Sequence, residues 1–217
     1  ELQELPQLVS GTSPEAEEAA AVFFAQLAPS VVRLKPMEAE FAKLFCNAYR
    51  YIQFAVANQL YMMVSAVGLD YYRILEGMQR DYPRMQGLPG AGLAAGPCLL
   101  KDTMQLNAFG DNGFSLGSAA MFVNEGLPLF IVNQLATRHN LSDLTVGLLG
   151  MAFKADSDDA RSSLSYKLKK VLRFRAKRVL TTDPHVQGDP DLVPLETVVV
   201  QSDLLILCVP HRAYQDL

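Results

Sequence analysis

Residues 144–153 read LTVGLLGMAF, and the fold is decided there. Leu144 to Leu149 form a short, nearly continuous apolar run that ends in a glycine turn. A run of that length bounded by a turn fits a strand buried on both faces, as in a parallel sheet. The next sixty residues repeat the theme. SSLSYKLKKVLRFRA (162–176) has apolar residues at helical spacing and a basic outer face. KRVLTTDP (177–184) reads as a second strand, PLETVVVQ (194–201) as a helix in this context, and SDLLILCVP (202–210) as a third strand. Strand, helix, strand, helix, strand predicts a doubly wound parallel sheet, here a domain over 143–217.

Upstream the character differs. Between Glu38 and Gly68 there is no proline, and no glycine before Gly68 itself. Phe41, Leu44, Phe45, Ala48, Ile52 and Ala55 recur at steps of three and four. That spacing predicts one long helix, apolar over much of its surface, which needs a core or a partner subunit to cover it. DYPRMQGLPGAGLAAGP (81–97) is rich in glycine and proline and reads as a long loop, a place where function concentrates. Residues 115–139 read as helical, with Pro128 a kink or break. These pieces make a central helical region over 36–142.

The first 35 residues look like the end of another α/β domain. QLVSGT (7–12) and SVVRLK (30–35) read as strands. Between them Ser13-Pro14-Glu15 starts a helix predicted to run to about Ala28: an N-cap, a proline suited to the first turn, and a carboxylate at the positive end of the dipole. The expected fold class is therefore α/β: a remnant of an N-terminal α/β domain, a central long-helix dimerisation region and a Rossmann-like parallel-sheet domain. The chain opens at Glu1 and closes at Leu217, just after the third strand, so it is expected to be a piece of a longer protein.

Composition narrows the function. Half of the 217 residues are hydrophobic, enough for a substantial core. The net charge of -4 argues against a sequence-blind nucleic-acid binder, which needs a basic surface to displace counterions. The three cysteines, Cys46, Cys98 and Cys208, are widely spaced and form no CxxC pair. That argues against a disulfide framework and a zinc site, and no metal is expected. No stretch reads as a membrane span or signal peptide, so a cytoplasmic protein is expected.

Three clusters carry candidate chemistry. In GPCLLKDTMQL (96–106), Cys98 lies at a loop-to-helix junction, where backbone N–H groups favour a thiolate. Lys101 and Asp102 follow it. A free cysteine is more often a small core residue, the reading kept for Cys46 and Cys208. Lys43 and Asn47 share a helix face; they are either a solvated stripe or an oxyanion clamp of one charge and one neutral donor. Lys154 and Arg161 flank an acidic loop after the 144–149 strand, at the sheet edge where α/β folds bind ligands. Arg161 is expected to open a helix, where phosphate recognition is favourable. The commoner reading of that cluster is a charged surface loop.

Taken in order, EAE–AKL–N, then the GAGLAAGPC–KD loop, then LLGMAFK–DSDDAR, resemble the UDP-glucose/GDP-mannose dehydrogenase family. The resemblance spans nearly the whole chain. It implies NAD-dependent oxidation of a nucleotide-sugar C6 hydroxyl to a carboxylate. It also implies a homodimer built on the central helix and a nucleotide-diphosphate sugar as partner, with most of the NAD-binding domain lying outside this chain. By the same resemblance Cys98 is the nucleophile, and Asp102 the carboxylate that activates water. Lys43 and Asn47 steady the oxyanion, Lys154 and Lys101 contact the nucleotide sugar, and Arg161 reaches the NAD pyrophosphate. Arg84, in DYPR, is offered to the partner subunit's sugar site. Two departures stand out: the glycine-rich loop is one residue longer with alanines in place of glycine, and Leu100 replaces the usual proline. The chain alone is expected to be inactive. Two alternatives remain: a non-catalytic nucleotide-sugar-binding and dimerisation module of the same ancestry, and a cysteine hydrolase, for which none of His139, His185 and His211 has a readable link to Cys98.

Overall fold

A computed structural model describes residues 3–94 and 96–217. Its contacts divide the chain into two compact units, Glu1–Tyr49 and Arg50–Leu217. The first unit pairs strand β1 (Gln7–Val9) in parallel with β2 (Val31–Arg33), and helix α1 (Pro14–Phe24) links them. Ser13 caps α1 as its sequence suggests, accepting from the Ala16 N–H at 3.2 Å. The helix stops at Phe24, four residues short of the expected end. The unit also holds the start of α2 (Pro36–Ala66), the long proline-free helix.

The second unit continues α2 and adds α3 (Tyr71–Gln79), α4 (Leu99–Phe109) and α5 (Ser115–Ala136). Asp70 caps α3 by accepting from the Tyr72 and Arg73 N–H groups at 2.9 and 3.3 Å. The sheet follows: β3 (Thr145–Leu149), α6 (Leu164–Leu172), β4 (Arg178–Thr182), α7 (Leu195–Gln201) and β5 (Leu204–Leu207). Its order is β4-β3-β5, all parallel, so β3 is central and buried on both faces. Val146 and Leu148 have no exposed surface; with Leu168 and Leu172 of α6 and Val132 of α5 they form the main core. The α/β architecture with a parallel sheet is thus the observed one. The chain reverses direction across the sheet between β3 and β5, which makes their carboxyl ends the switch point where such folds hold ligands.

Several details depart from the sequence reading. Pro128 does not break α5, which runs through it with the proline buried. Cys46 is exposed rather than a core residue, because α2 is apolar over more of its surface than the fold covers. One helix, α5, does have the length and apolarity of a membrane span, contrary to expectation. It packs on α4 and α6 and carries a buried asparagine, as a core helix does.

Candidate functional site

Cys98 occupies the N-cap position of α4 and is exposed. Its thiol caps no backbone group, so it stands open at the positive end of the helix dipole. One turn on, Asp102 is 1% exposed and pairs with Lys101 at 3.4 Å, while Lys101 itself reaches into solvent. A buried carboxylate thus lies one helical turn from an open sulfur. The other two thiols are unlike it. Cys46 belongs to the first unit, and burial pushes the Cys208 thiol up to about 12.

The loop leading to Cys98 is held by neutral side chains. The Tyr72 hydroxyl donates to the Ala91 carbonyl at 2.7 Å, and Gln79 donates to the carbonyls of Met85 and Leu88 at 3.2 and 2.8 Å. Asn58 accepts from the Gly92 N–H at 2.8 Å. Asn58 also donates to Asn124 at 2.9 Å, which in turn donates to the Tyr51 carbonyl at 3.0 Å. Both asparagines are fully buried. This relay from α2 and α5 to the loop was not read from the sequence. Its signal is an asparagine inside an apolar helical run, where the side chain needs a partner.

The turn before the thiol is seated on the sheet domain. Gly96 has φ +116°, and a Cβ there would lie 2.9 Å from the Phe153 ring. Only glycine allows both that backbone and that approach. Lys154 places its ammonium 5.6 Å from the centre of the same ring. Arg161 is held charged by its bidentate pair with Asp159, at 2.7 to 3.1 Å, with a further contribution from Cys98. Arg161 in turn holds the Asp159 carboxyl at about 2. The structure thus brings Cys98, Lys154 and Arg161 into one neighbourhood. Arg161 does not open a helix, however: Ser162 has φ +55°, and the cap of α6 is Ser163, accepting from the Ser165 N–H.

Of the remaining candidates, Lys43 and Asn47 lie four residues apart on α2, Lys43 exposed and Asn47 half-buried, in the first unit. Arg84 lies exposed in a short 3-10 turn over Pro83–Met85.

The switch-point edge is ordered by a buried carboxylate. Asp183 accepts from the N–H groups of Met151, Ala152, His185 and Val186 at 2.6 to 2.9 Å. Burial pushes its pKa up, but those four N–H groups outweigh it and hold the carboxyl below its ordinary range. His211 sits against it, Nε2 3.1 Å from Asp183 Oδ2, and Nδ1 accepts from the Asp156 N–H at 2.9 Å. Asp156 in turn holds Arg212 at 2.6 Å. Donor atoms of Asp156, His185 and His211 lie within 4.8 Å of one another. Both His211 nitrogens and the Asp156 carboxylate are already engaged, so the cluster is built as a hydrogen-bond network. Beside it a polar cleft of about 490 Å³ is lined by Lys154, Asp156, Asp158 and His185 among others, within the size range of small-molecule sites.

Comparison with known proteins bears on this site. A sequence model for the central domain of the UDP-glucose/GDP-mannose dehydrogenase family matches residues 37–125. A model for the UDP binding domain of that family matches 147–217. The UDP-N-acetyl-D-mannosamine dehydrogenase of Pyrococcus horikoshii is 31% identical over 183 residues, 82% of this chain and 43% of that protein. An NDP-N-acetyl-D-galactosaminuronic acid dehydrogenase of Ralstonia nicotianae is 25% identical over all of this chain and 53% of its own length. Among solved structures, a UDP-glucose dehydrogenase from Pyrobaculum islandicum superposes with a TM-score of 0.85 at 26% identity, over 96% of this chain and 52% of that one. The chain spans about half the length of these relatives.

Proposed function

Because the chain belongs to the UDP-glucose/GDP-mannose dehydrogenase family, we propose that it carries the thiol and the nucleotide-sugar site of an NAD-dependent 6-dehydrogenase. The observation that carries this reading is the open Cys98 sulfur, one turn from buried Asp102 and beside the Lys154–Arg161 loop. The names of the relatives favour an N-acetylated sugar on a nucleoside diphosphate.

No GxGxxG occurs in the 217 residues. What suits NAD here is Arg161, a largely exposed guanidinium near the thiol, which would meet the pyrophosphate. When bound, NAD supplies the acceptor for the hydride lost from C6 in each of two oxidations. The protein's own part is to hold the carbon between them. Cys98 as thiolate adds to the C6 aldehyde to give a thiohemiacetal, whose oxidised form is a thioester on the same sulfur. Lys43 and Asn47 donate to the oxygen that gains charge. Asp102 takes a proton from the water that hydrolyses the thioester, and the thiolate leaves. Lys154 pairs with the diphosphate, and Lys101 and Arg84 add charge for the substrate. Replacing Cys98 by serine in the complete enzyme should abolish uronate formation; unimpaired conversion would contradict the role.

The partner subunit is proposed to dock on α2. Tyr49, Val56 and Met63 are each 46–63% exposed and recur every seven residues, the spacing of a helix seam. The chain alone is proposed to bind nucleotide sugar weakly and to turn nothing over.

A further inference from the structure

We propose that His211 is a positioning residue of the nucleotide-sugar edge: as the neutral Nε2–H tautomer it clamps the loop that carries Lys154 and Arg161, and its protonation releases that loop. The proposal rests on the reading of Lys154 as a diphosphate contact.

The two hydrogen bonds of the ring fix its state. Nδ1 accepts from the Asp156 N–H at 2.9 Å, so it carries no proton. Nε2 lies 3.1 Å from Asp183 Oδ2, a carboxylate that can only accept, so Nε2 carries the hydrogen. The ring has no exposed surface. It therefore ties a backbone N–H of the 153–161 loop to the carboxylate that orders the ends of β3 and β4.

The residue it holds needs holding. Asp156 has φ +54°, a left-handed backbone that aspartate reaches more readily than most residues but that still costs energy relative to the right-handed region. Its carboxylate is taken by Arg212, through the backbone N–H at 3.1 Å and the guanidinium at 2.6 Å. His211 and Arg212 are adjacent, so one short segment after β5 grips both ends of Asp156. Lys154 lies two residues before it and Asp159, the partner of Arg161, three after.

A second proton on the ring would sit on Nδ1 and face the Asp156 N–H, donor against donor. The groups around the ring are Asp183 at the end of β4, the His185 ring 5.0 Å away, Asp156 with Arg212, and the Tyr214 ring 5.5 Å away. A charged ring still donates from Nε2 to the Asp183 carboxylate, whereas its Nδ1 can no longer accept, so the Asp156 bond is the one that breaks.

Two substitutions separate the two bonds. In His211→Asn the side-chain oxygen takes the place of Nδ1 and can still accept from Asp156. In His211→Gln the amide reaches towards Asp183 and the Asp156 N–H loses its acceptor. The chain is titrated with UDP-N-acetyl-D-mannosamine by calorimetry between pH 5.5 and 8. Its diphosphate is fully esterified and does not titrate there. Amide exchange of the 153–161 segment is followed in parallel. We expect His211→Gln to exchange faster at Asp156 and to bind ~10-fold more weakly, the loss of one buried hydrogen bond. His211→Asn should rescue both and lose the decline in affinity at acid pH that is expected of the unmodified chain. Equal exchange in the two variants, or an acid decline that persists in His211→Asn, overturns the proposal. If the unmodified chain binds no nucleotide sugar, the reading of Lys154 fails, and the exchange rates alone decide the clamp. If neither variant folds, the ¹⁵N spectrum of the unmodified ring decides it: an unprotonated Nδ1 at pH 8 supports the clamp, and a protonated one overturns it.

Discussion

Two loops frame the candidate site, and they are held by different chemistry. The 85–92 loop before Cys98 is tied by tyrosine hydroxyls, a glutamine and an asparagine. The 150–161 loop is tied by carboxylates, a histidine and an arginine. The first set is made of uncharged side chains, while the second is built on charged groups and a histidine. The proposed division of labour follows that difference: the first loop is to present the thiol, and the second to meet the diphosphate. Each part of that contrast can be broken separately.

The largest effect should come from the thiol itself. Cys98→Ser in the complete enzyme should lower uronate formation by at least ~10³-fold, since the proposed step needs a sulfur nucleophile. Cys46→Ala should leave the rate within about twofold, because that thiol is exposed in the other unit and opens no cavity. Steady-state assays of both variants check this. Next comes Asp183→Ala, which strips the acceptor from four N–H groups and from His211. It should cost at least about 3 kcal/mol in denaturant unfolding, through the sheet domain.

The neutral loop should lose less. Asn124→Ala leaves Asn58 and the Tyr51 carbonyl without their partner and should cost roughly 1–3 kcal/mol. Tyr72→Phe removes a single bond to Ala91 and should cost about 1 kcal/mol. Thermal unfolding of both measures the order.

The smallest effect is a pH response confined to one loop. The folded state holds the Asp183 carboxyl below its unfolded value. Its contribution is therefore present above about pH 4 and is lost as pH falls through the folded pKa. Amide exchange at pH 6 and pH 3, corrected for intrinsic rates, should show the 150–161 segment loosening and the 85–92 segment unchanged. Equal loosening of both would erase the contrast.

How far the sequence carried can be judged from the same two loops. The strand–helix alternation after residue 143 was legible because β3 is buried on both faces and β5 is apolar throughout, although Leu205 and Leu207 are exposed, so both read as apolar runs. Cys98 stood out because Gly96-Pro97 and the following periodicity mark a helix start. The ties were not legible. Asn58 and Asn124 are 66 residues apart and meet only in the packed fold. Asp183, His211 and Asp156 come from three segments joined by sheet order, which local pattern does not encode. The expected helix start at Arg161 falls one turn too early because the left-handed backbone of Ser162 leaves no mark in the sequence. Pro128 looked like a break because local propensity says so; burial on α4 and α6 overrides it.

The proposed role of Cys98, holding the sugar covalently between the two oxidations, is open to direct mass measurement. On the proposed role of Asp102, Asp102→Asn should slow hydrolysis while leaving the sulfur in place. The complete enzyme carrying it is mixed with NAD and UDP-N-acetyl-D-mannosamine, quenched in acid and digested. The peptide that contains Cys98 is expected to carry the mass of the sugar-nucleotide acyl group, and those containing Cys46 or Cys208 to carry none. Steady uronate production with an unmodified Cys98 peptide throughout, or an adduct on another cysteine, would contradict it.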